Sequence, residues 1–200
     1  MAGALFDRLS RLYEEGHRRT IPDLLSDANL ADGRVTPAAV LIAVTMRDVP
    51  TVILTQRPRG MRDHPGQVAF PGGKIDPGET AIEAALREAD EELALPPSAV
   101  QVIGTSDDYH TGTGFLVTPV LGVVPPDLAL TPSPSEVEAW FEAPLDLLLN
   151  PTSWKANEVH WRGHWRRYFE MDYQGFRIWG VTAAIILNLA RRIDVNALRD

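Results

Sequence analysis

Apolar residues recur at helical spacing near both ends of the chain. In residues 3–19 they stand three and four positions apart, which predicts an amphipathic helix: Leu5, Leu9, Leu12 and Tyr13. The apolar run at residues 181–193 predicts a closing helix. Residues 81–94 show the same periodicity and predict a third helix in the middle of the chain.

The sequence between these helices contains several runs rich in β-branched and aromatic residues. The predicted strands lie at residues 37–47, 50–57, 66–70, 100–109, 114–124 and near 137–142, with an aromatic, alternating hairpin at 158–180. The first two strands are separated by a short turn and predict a hairpin. We therefore expect one domain over residues 1–200, a mixed sheet flanked by helices in an α/β sandwich or an α+β fold.

Composition narrows the classes of function. The chain has 200 residues, a formal net charge of −8 at pH 7 and no cysteine. A disulfide framework, a zinc–thiolate site and a cysteine nucleophile are therefore excluded. The acidic balance argues against nucleic acid or an anionic membrane as a partner. The N-terminus lacks the apolar core of a signal peptide, and the apolar stretch at 179–190 is too short to span a bilayer, so we expect a cytoplasmic protein.

The stretch QVAFPGGKIDPGETAIEAALREADEELAL, residues 67–95, places many carboxylates near the end of the central helix. Thr80 followed by Glu83 has the pattern of a capping box, which predicts where the helix begins. Pro96 and Pro97 predict where it stops. The carboxylates crowd the C-terminal half, where the helix dipole disfavours negative charge.

The two sides of this helix differ in character. Its apolar residues share one side and predict the packing face: Ile82, Leu86, Ala89 and Leu93. Glu88, Glu91 and Glu92 lie three and four residues apart on the other side, where like charges destabilise a helix. A solvated acidic face is the common explanation for such a group. Here a predicted tight turn at residues 71–73 brings backbone carbonyls close, and carboxylates beside carbonyls favour a hard divalent cation, Mg²⁺ or Mn²⁺.

The same stretch resembles the Nudix box. In that pattern a glycine is followed after five residues by Glu and after seven more by Arg-Glu-aliphatic-x-Glu-Glu-x-Gly-aliphatic. The matching positions are Gly73, Glu79, Arg87, Glu88, Glu91, Glu92 and Leu95. Ala89 fills an aliphatic position, and Ala94 stands where the box has its late glycine, a position that serves the helix C-terminus. The resemblance implies a Nudix-type α/β/α sandwich that hydrolyses a nucleoside diphosphate linked to another moiety.

The resemblance also implies roles for individual residues. Glu88, Glu91 and Glu92 would bind the divalent ions, and the carbonyl of Gly73 or of its neighbour Gly72 would join them. Glu79 and Arg87 would form an ion pair that holds the loop against the helix.

Two residues are candidates for the general base. Glu91 would ligate the metal and also orient the water, whereas Glu136 follows a long proline-rich loop and would enter the metal site from outside the box. Glu138 and Glu142 are expected to be loop-surface residues. Three further polar residues either line the cleft or are ordinary loop residues: Asp107, Asp108 and His110.

Residues 53–73 resemble the signature of the coenzyme A pyrophosphatase branch of the Nudix proteins. The matching positions are Leu54, Thr55, Arg57, Arg62, Gly66, Phe70, Pro71, Gly72 and Gly73. This implies hydrolysis of coenzyme A to 3′,5′-ADP and 4′-phosphopantetheine. The expected substrate-binding residues are Phe70 and a basic cluster suited to phosphate oxygens: Arg57, Arg59, Arg62 and His64.

Other interpretations of the same residues stay open. The arginines could instead pair with Asp63 and Asp76 at the surface. The substrate could be ADP-ribose or another nucleoside diphosphate derivative, or the chain could be a non-catalytic nucleotide-binding module. Whether the chain forms a homodimer is also left open.

Overall fold

A computed structural model describes residues 2–30, 35–61, 64–161 and 163–198. The helices in these residues are α1 (Ala2–His17), α2 (Ala81–Leu93), α3 (Leu145–Leu148) and α4 (Gly180–Arg192). The strands are β1 (Thr36–Thr45), β2 (Thr51–Gln56), β3 (Val68–Ala69), β4 (Gly72–Lys74), β5 (Gln101–Thr105), β6 (Tyr109–His110), β7 (Phe115–Val124), β8 (Ala139–Pro144), β9 (Lys155–Trp161), β10 (His164–Tyr173) and β11 (Phe176–Trp179). The three long helices lie within one or two residues of the predicted bounds.

Eight of these strands form one mixed sheet. Its main path runs β3-β2-β1-β7-β5, with β4 paired to β1, β6 to β7 and β8 to β2. Strands β1 and β7 are parallel, whereas the other pairs are antiparallel. The predicted hairpin of β1 and β2 is confirmed by their antiparallel pairing at Val44–Val52 and Thr45–Thr51.

Helices cover both faces of this sheet. Successive side chains of a strand point to opposite faces, so a strand with apolar residues at every position needs a packing partner on each side. Ile42 and Val44 of β1 belong to a core shared with α1 and α4. Leu41 and Ala43 of the same strand belong to a second core shared with α2. The result is the expected α/β/α sandwich, with α2 alone among the long helices on its face of the sheet in the described part of the chain.

Some sequence-based expectations about the strands were wrong. The segment predicted as one strand at 100–109 forms β5 and β6, separated at residues 106–108. The predicted hairpin at 158–180 is a three-stranded antiparallel sheet in the order β11-β10-β9, and it begins at Lys155. The predicted turn at residues 71–73 is largely strand β4, in which Gly72 and Gly73 pair with Val40 and Ala39 of β1. The close backbone pairing of β4 explains the glycines better than a turn does.

The proline-rich segment at residues 125–138 packs against the C-terminal end of α2. The N–H of Thr131 donates to the carbonyl of Leu93, and the N–H of Ser133 donates to the carbonyl of Glu92, each at 2.8 Å. These carbonyls belong to the last turn of the helix, where no partner exists within the helix itself. The segment thus caps α2 and is held at a defined distance from its acidic residues.

Helices long and apolar enough to cross a membrane were sought among the described residues, and none was found.

Candidate active site

Helix α2 begins as the sequence predicts. The Thr80 hydroxyl accepts from the N–H of Glu83, and the Glu83 carboxylate accepts from the N–H of Thr80 at 2.8 Å, so both halves of the capping box are present. The helix ends at Leu93, and Ala94 follows in the left-handed conformation with φ 52° and ψ 37°. The helix therefore begins at the predicted residue and ends one residue before the predicted end.

Three carboxylates converge beside α2. Glu88, Glu92 and Glu136 each offer an oxygen that lies within 4.8 Å of the oxygens of the other two. Glu88 and Glu92 are one helical turn apart, whereas Glu136 comes from the proline-rich segment. The predicted contribution of a downstream glutamate therefore has a structural basis in the capping contacts of that segment.

Glu92 is the buried member of this acidic cluster. Only 5% of its surface is exposed, and its Oε2 atom has no hydrogen-bond partner in the described part of the chain. Burial raises the pKa of Glu92 to about 8, with further upward contributions from the charges of Glu88 and Glu136, while Arg57 acts in the opposite direction. In its ionised form, a buried carboxylate with an unpartnered oxygen and negative neighbours is unfavourable unless a cation neutralises it, and otherwise it holds its proton.

This burial corrects the predicted faces of α2. The buried residues of the helix are Ala84, Ala85, Ala89, Glu92 and Leu93, whereas Ile82 and Leu86 are only partly buried. Glu92 therefore shares its side with Ala85 and Ala89 rather than with a solvent-facing acidic surface. The sequence pattern missed this because a glutamate was assigned to the exposed side by its polarity.

The glycine of the box provides room for Glu88. A Cβ atom placed on Gly73 would lie 2.3 Å from Oε1 of Glu88, and one placed on Gly72 would lie 2.3 Å from the carbonyl oxygen of Ala39. Both distances are far shorter than any stable contact. At Gly72 the clash is with the backbone of β1, so β4 can pair there only without a side chain, whereas a side chain at Gly73 would displace the carboxylate of Glu88.

Arg87 forms the predicted ion pair with Glu79 and also bonds to other residues around the acidic cluster. Its guanidinium donates to Glu79 at 2.9 and 3.0 Å, which confirms that pair, and to the carbonyl of Lys74 at 3.0 Å. It also donates to Glu88 at 2.9 Å and to Glu91 at 3.1 Å. Arg87 thus ties the loop before α2 to the helix and fixes the side chain of Glu88 next to its partners in the cluster.

Glu91 occupies a different position from the one expected of a primary ligand. Its side chain is 55% exposed and is bonded to Arg87, and it is not part of the group formed by Glu88, Glu92 and Glu136. In this structure the third carboxylate of the cluster is Glu136. A role for Glu91 in metal binding or catalysis stays a proposal.

The donor set fits a hard divalent cation. Three carboxylates from two segments, one of them buried with a free oxygen, match the all-oxygen ligands that Mg²⁺ and Mn²⁺ take in proteins. Glu88, Glu92 and Glu136 are the residues that would hold the ion, with Gly73 close enough to Glu88 to line the same site.

The predicted phosphate-binding residues lie along the segment that follows β2. Arg57 interacts electrostatically with Glu92, and its buried Nε atom has no hydrogen-bond partner among the described residues. Arg59 is exposed and lies near Glu138. His64 is exposed and takes a positive φ of 54°. Arg62 lies outside the described residues.

Phe70 has a different role from the predicted contact with substrate. It is 3% exposed and belongs to the core shared by α1, α4 and the sheet. Its side chain therefore anchors the segment between β3 and β4 rather than presenting a face to a ligand in this structure.

Several polar residues near the sheet are committed to structural contacts. The Asp107 carboxylate accepts from Arg192 at 2.6 and 2.8 Å, and Asp108 accepts from the Thr118 hydroxyl at 2.6 Å. Glu142, expected on a loop surface, lies in β8 and accepts from Arg47 at 2.7 and 2.8 Å. These contacts connect residues roughly ten to ninety-five positions apart, so no local sequence pattern could reveal them.

The fold agrees with comparisons to known proteins. The NUDIX domain family matches residues 35–163, so the chain belongs to the Nudix family and is an enzyme that acts on pyrophosphate bonds. It is similar to the Nudix hydrolase NudL of Enterobacter sp. (strain 638), with 43% identity over 90% of this chain and 98% of that relative. NudL of Escherichia coli (strain K12) is 47% identical over 79% of this chain and 83% of its own length. Both relatives are named as uncharacterized.

A solved structure shows the same fold. The Nudix hydrolase RenU of M. smegmatis superposes with a TM-score of 0.51 and 24% identity, over 64% of this chain and 82% of that one. The mixed sheet between helices is therefore the architecture of the family, and two of the three carboxylates of the acidic cluster lie on the helix that carries its sequence motif.

Proposed function

We propose that the chain hydrolyses the pyrophosphate bond of coenzyme A or its derivatives, releasing 3′,5′-ADP and 4′-phosphopantetheine or its acylated form. The observation that carries this proposal is the position of Arg57. It stands one residue after β2, acts on the charge of Glu92, and keeps a buried guanidinium nitrogen that has no hydrogen-bond partner in the described part of the chain. An arginine with free donor capacity beside a carboxylate cluster suits a phosphate that reaches the same centre.

The segment that follows Arg57 supports coenzyme A as the substrate. Coenzyme A carries a ribose 3′-phosphate in addition to its pyrophosphate, and residues 57–64 place several basic side chains beyond Arg57. Arg59 and His64 are both exposed, so they are available to a charged group outside the acidic centre. The signature match at residues 53–73 is the second support, because it is specific to this branch of the family.

Each residue of the centre has a proposed task. Glu88, Glu92 and Glu136 would hold Mg²⁺ or Mn²⁺, which neutralises the pyrophosphate charge and activates water when bound. Arg87 and Glu79 keep Glu88 in place. The exposed carboxylates Glu91 and Glu136 are the two candidates to take the proton of the attacking water.

A substrate panel tests the proposal. The purified protein is incubated with Mg²⁺ or Mn²⁺ and coenzyme A, dephospho-coenzyme A or ADP-ribose, and the products are identified by mass spectrometry. We expect 3′,5′-ADP from coenzyme A and a lower kcat/KM for dephospho-coenzyme A, which lacks the 3′-phosphate. Faster hydrolysis of ADP-ribose would assign the chain to another substrate and contradict the proposal.

Two variants of α2 make the assay specific to the acidic centre. Glu92→Gln removes a charge from the cluster and is expected to lose nearly all activity on every substrate. Asp90→Asn removes a charge two residues away, on the exposed side of the same helix, and serves as the matched control. Equal loss in both variants would indicate a general effect of helix charge instead of a site at Glu92.

A further inference from the structure

Glu138 joins two segments that meet at the acidic cluster. Its carboxylate accepts a hydrogen bond from the backbone N–H of Arg59 at 2.9 Å, and its other oxygen lies 3.9 Å from Nε of Arg59. Its own N–H donates to the carbonyl of Gln56 at 2.8 Å. Sequence polarity alone assigned Glu138 to a loop surface, and its side chain is indeed 42% exposed, but its contacts are specific.

Both of these segments carry residues of the proposed site. Glu136 stands two positions before Glu138 and belongs to the acidic cluster. Arg59 lies in a turn at residues 58–61, closed by the N–H of Met61 bonding to the carbonyl of Pro58 at 3.2 Å. We call residues 58–61 the arginine turn. It follows Arg57 directly, so its position sets where the basic side chains stand relative to the carboxylates.

We propose that Glu138 is a positioning residue that holds the arginine turn against the segment bearing Glu136, and so sets the distance between the phosphate-binding and acidic parts of the site. This inference rests on the proposed function, because it assumes that the arginine turn binds the substrate. A charged acceptor strengthens a hydrogen bond to a backbone N–H. Without it the turn is no longer tethered to the segment of Glu138, and its position against that segment must be fixed again when substrate binds.

Four variants isolate this hydrogen bond. Glu138→Ala removes the acceptor, and Glu138→Gln keeps an acceptor oxygen without the charge. Arg59→Pro removes the donor, since proline has no N–H and suits the second position of a turn, which Arg59 occupies. Arg59→Ala keeps the N–H and loses only the guanidinium, so it is the reference for Arg59→Pro.

The kinetic readout is the division between KM and kcat with coenzyme A as substrate. We expect Glu138→Ala to raise KM about threefold to tenfold, the range for loss of one hydrogen bond to a charged group that is partly exposed, with kcat changed less than about twofold. Glu138→Gln should recover most of the loss. Arg59→Pro should raise KM over Arg59→Ala by the same factor, and adding Glu138→Ala to Arg59→Pro should add nothing further.

A purely structural role for Glu138 predicts a different pattern. In that case Glu138→Ala would lower the melting temperature and reduce kcat and kcat/KM together on every substrate. The same result, or additive effects of Glu138→Ala and Arg59→Pro, would overturn the proposal.

Amide hydrogen exchange tests the contact without any turnover. The Arg59 amide should exchange about tenfold faster in Glu138→Ala than in the wild type, since its bonding partner is gone, while amides of α2 stay unchanged. Unchanged exchange at Arg59, or faster exchange with no change in KM, would also overturn the proposal. If coenzyme A is not hydrolysed, the proposed function fails on its own; exchange still decides the contact, and KM is measured on the substrate that the panel identifies.

Discussion

The left-handed conformation of Ala94 gives a stability prediction that follows directly from backbone sterics. Ala94 ends α2 with φ 52° and ψ 37°, and its N–H donates to the carbonyls of Ala89 and Asp90. A residue with a Cβ atom has a free energy about 1–2 kcal/mol higher in this conformation because of steric contact, whereas glycine has no such penalty. Glycine is also more flexible in the unfolded chain, and its greater loss of entropy on folding offsets about 0.4–1 kcal/mol of this gain. Ala94→Gly should therefore stabilise the protein by about 0.5–1 kcal/mol.

The assay is thermal unfolding of the two proteins side by side. For a domain of this size about 1 kcal/mol corresponds to about 2–4 °C, so the melting temperature should rise by about 1–4 °C. Ala94 is exposed, so the loss of its methyl group removes no core packing. The helix and its capping contacts stay intact, and activity should be unchanged.

The same substitution at the other end of α2 is the control. Ala81 is the first residue of the helix and packs against the core, so Ala81→Gly should destabilise the protein through lost packing and backbone entropy, by about 0.5–1 kcal/mol. A gain in stability at Ala94 beside a loss at Ala81 would show that the benefit of glycine is confined to the left-handed position. A melting temperature of Ala94→Gly at or below that of the wild type would refute the argument.

Three further predictions concern the acidic cluster and the ion pairs around it. In melting experiments with MnCl₂, Glu92→Gln should lose the metal-induced stabilisation that Asp90→Asn retains, because a ligand that binds only the folded state stabilises it; equal shifts would contradict the site. Arg87→Lys should lower kcat by about tenfold or more, since a point charge cannot replace a fork that holds Glu79 and Glu88, and the exposed Arg18→Lys should have no effect. Asp107→Asn should destabilise the protein at pH 7 by about 1–3 kcal/mol because it leaves Arg192 without its charged partner. The Arg192 hydrogen bonds lower the pKa of Asp107 in the folded state. The stability that they contribute is therefore present above the unfolded pKa of about 3.9 and is lost as the pH falls through the lower folded pKa. A difference in unfolding free energy between variant and wild type that is the same at pH 7 and at strongly acidic pH would contradict this.

Much of the fold could be predicted because its elements are specified locally. The capping box at Thr80 and Glu83 marks the start of α2, and the nearly continuous apolar run along β1 is typical of a strand buried on both faces. Strand β4 could not be predicted in this way. Its two glycines carry no propensity for a strand, and only the pairing with β1, more than thirty positions earlier, makes them one.

The site was predictable only as far as the sequence motif extends. Spacing within α2 placed Glu88 and Glu92 one turn apart, and the resemblance to the Nudix box implied the Glu79–Arg87 ion pair that the structure contains. Spacing alone could not show that Glu92 is buried, because that depends on how α2 packs against the sheet. Glu136 was only a candidate from the same resemblance, because its place in the cluster depends on how the proline-rich segment docks. The contact between Glu138 and Arg59 spans 79 positions and has no local signature at all.

The position of the cluster explains why carboxylates are tolerated near the end of a helix. The C-terminal end of α2 carries a partial negative charge, which disfavours Glu92 and favours a cation at the same point. The carbonyls of Glu92 and Leu93 are already occupied by the N–H groups of Ser133 and Thr131. Those backbone contacts bring Glu136 to the cluster, so the segment that relieves the helix end also supplies a further negative charge. The partial negative charge of the helix end and the charges of the carboxylates thus repel one another at one place, and a bound divalent ion would offset this repulsion.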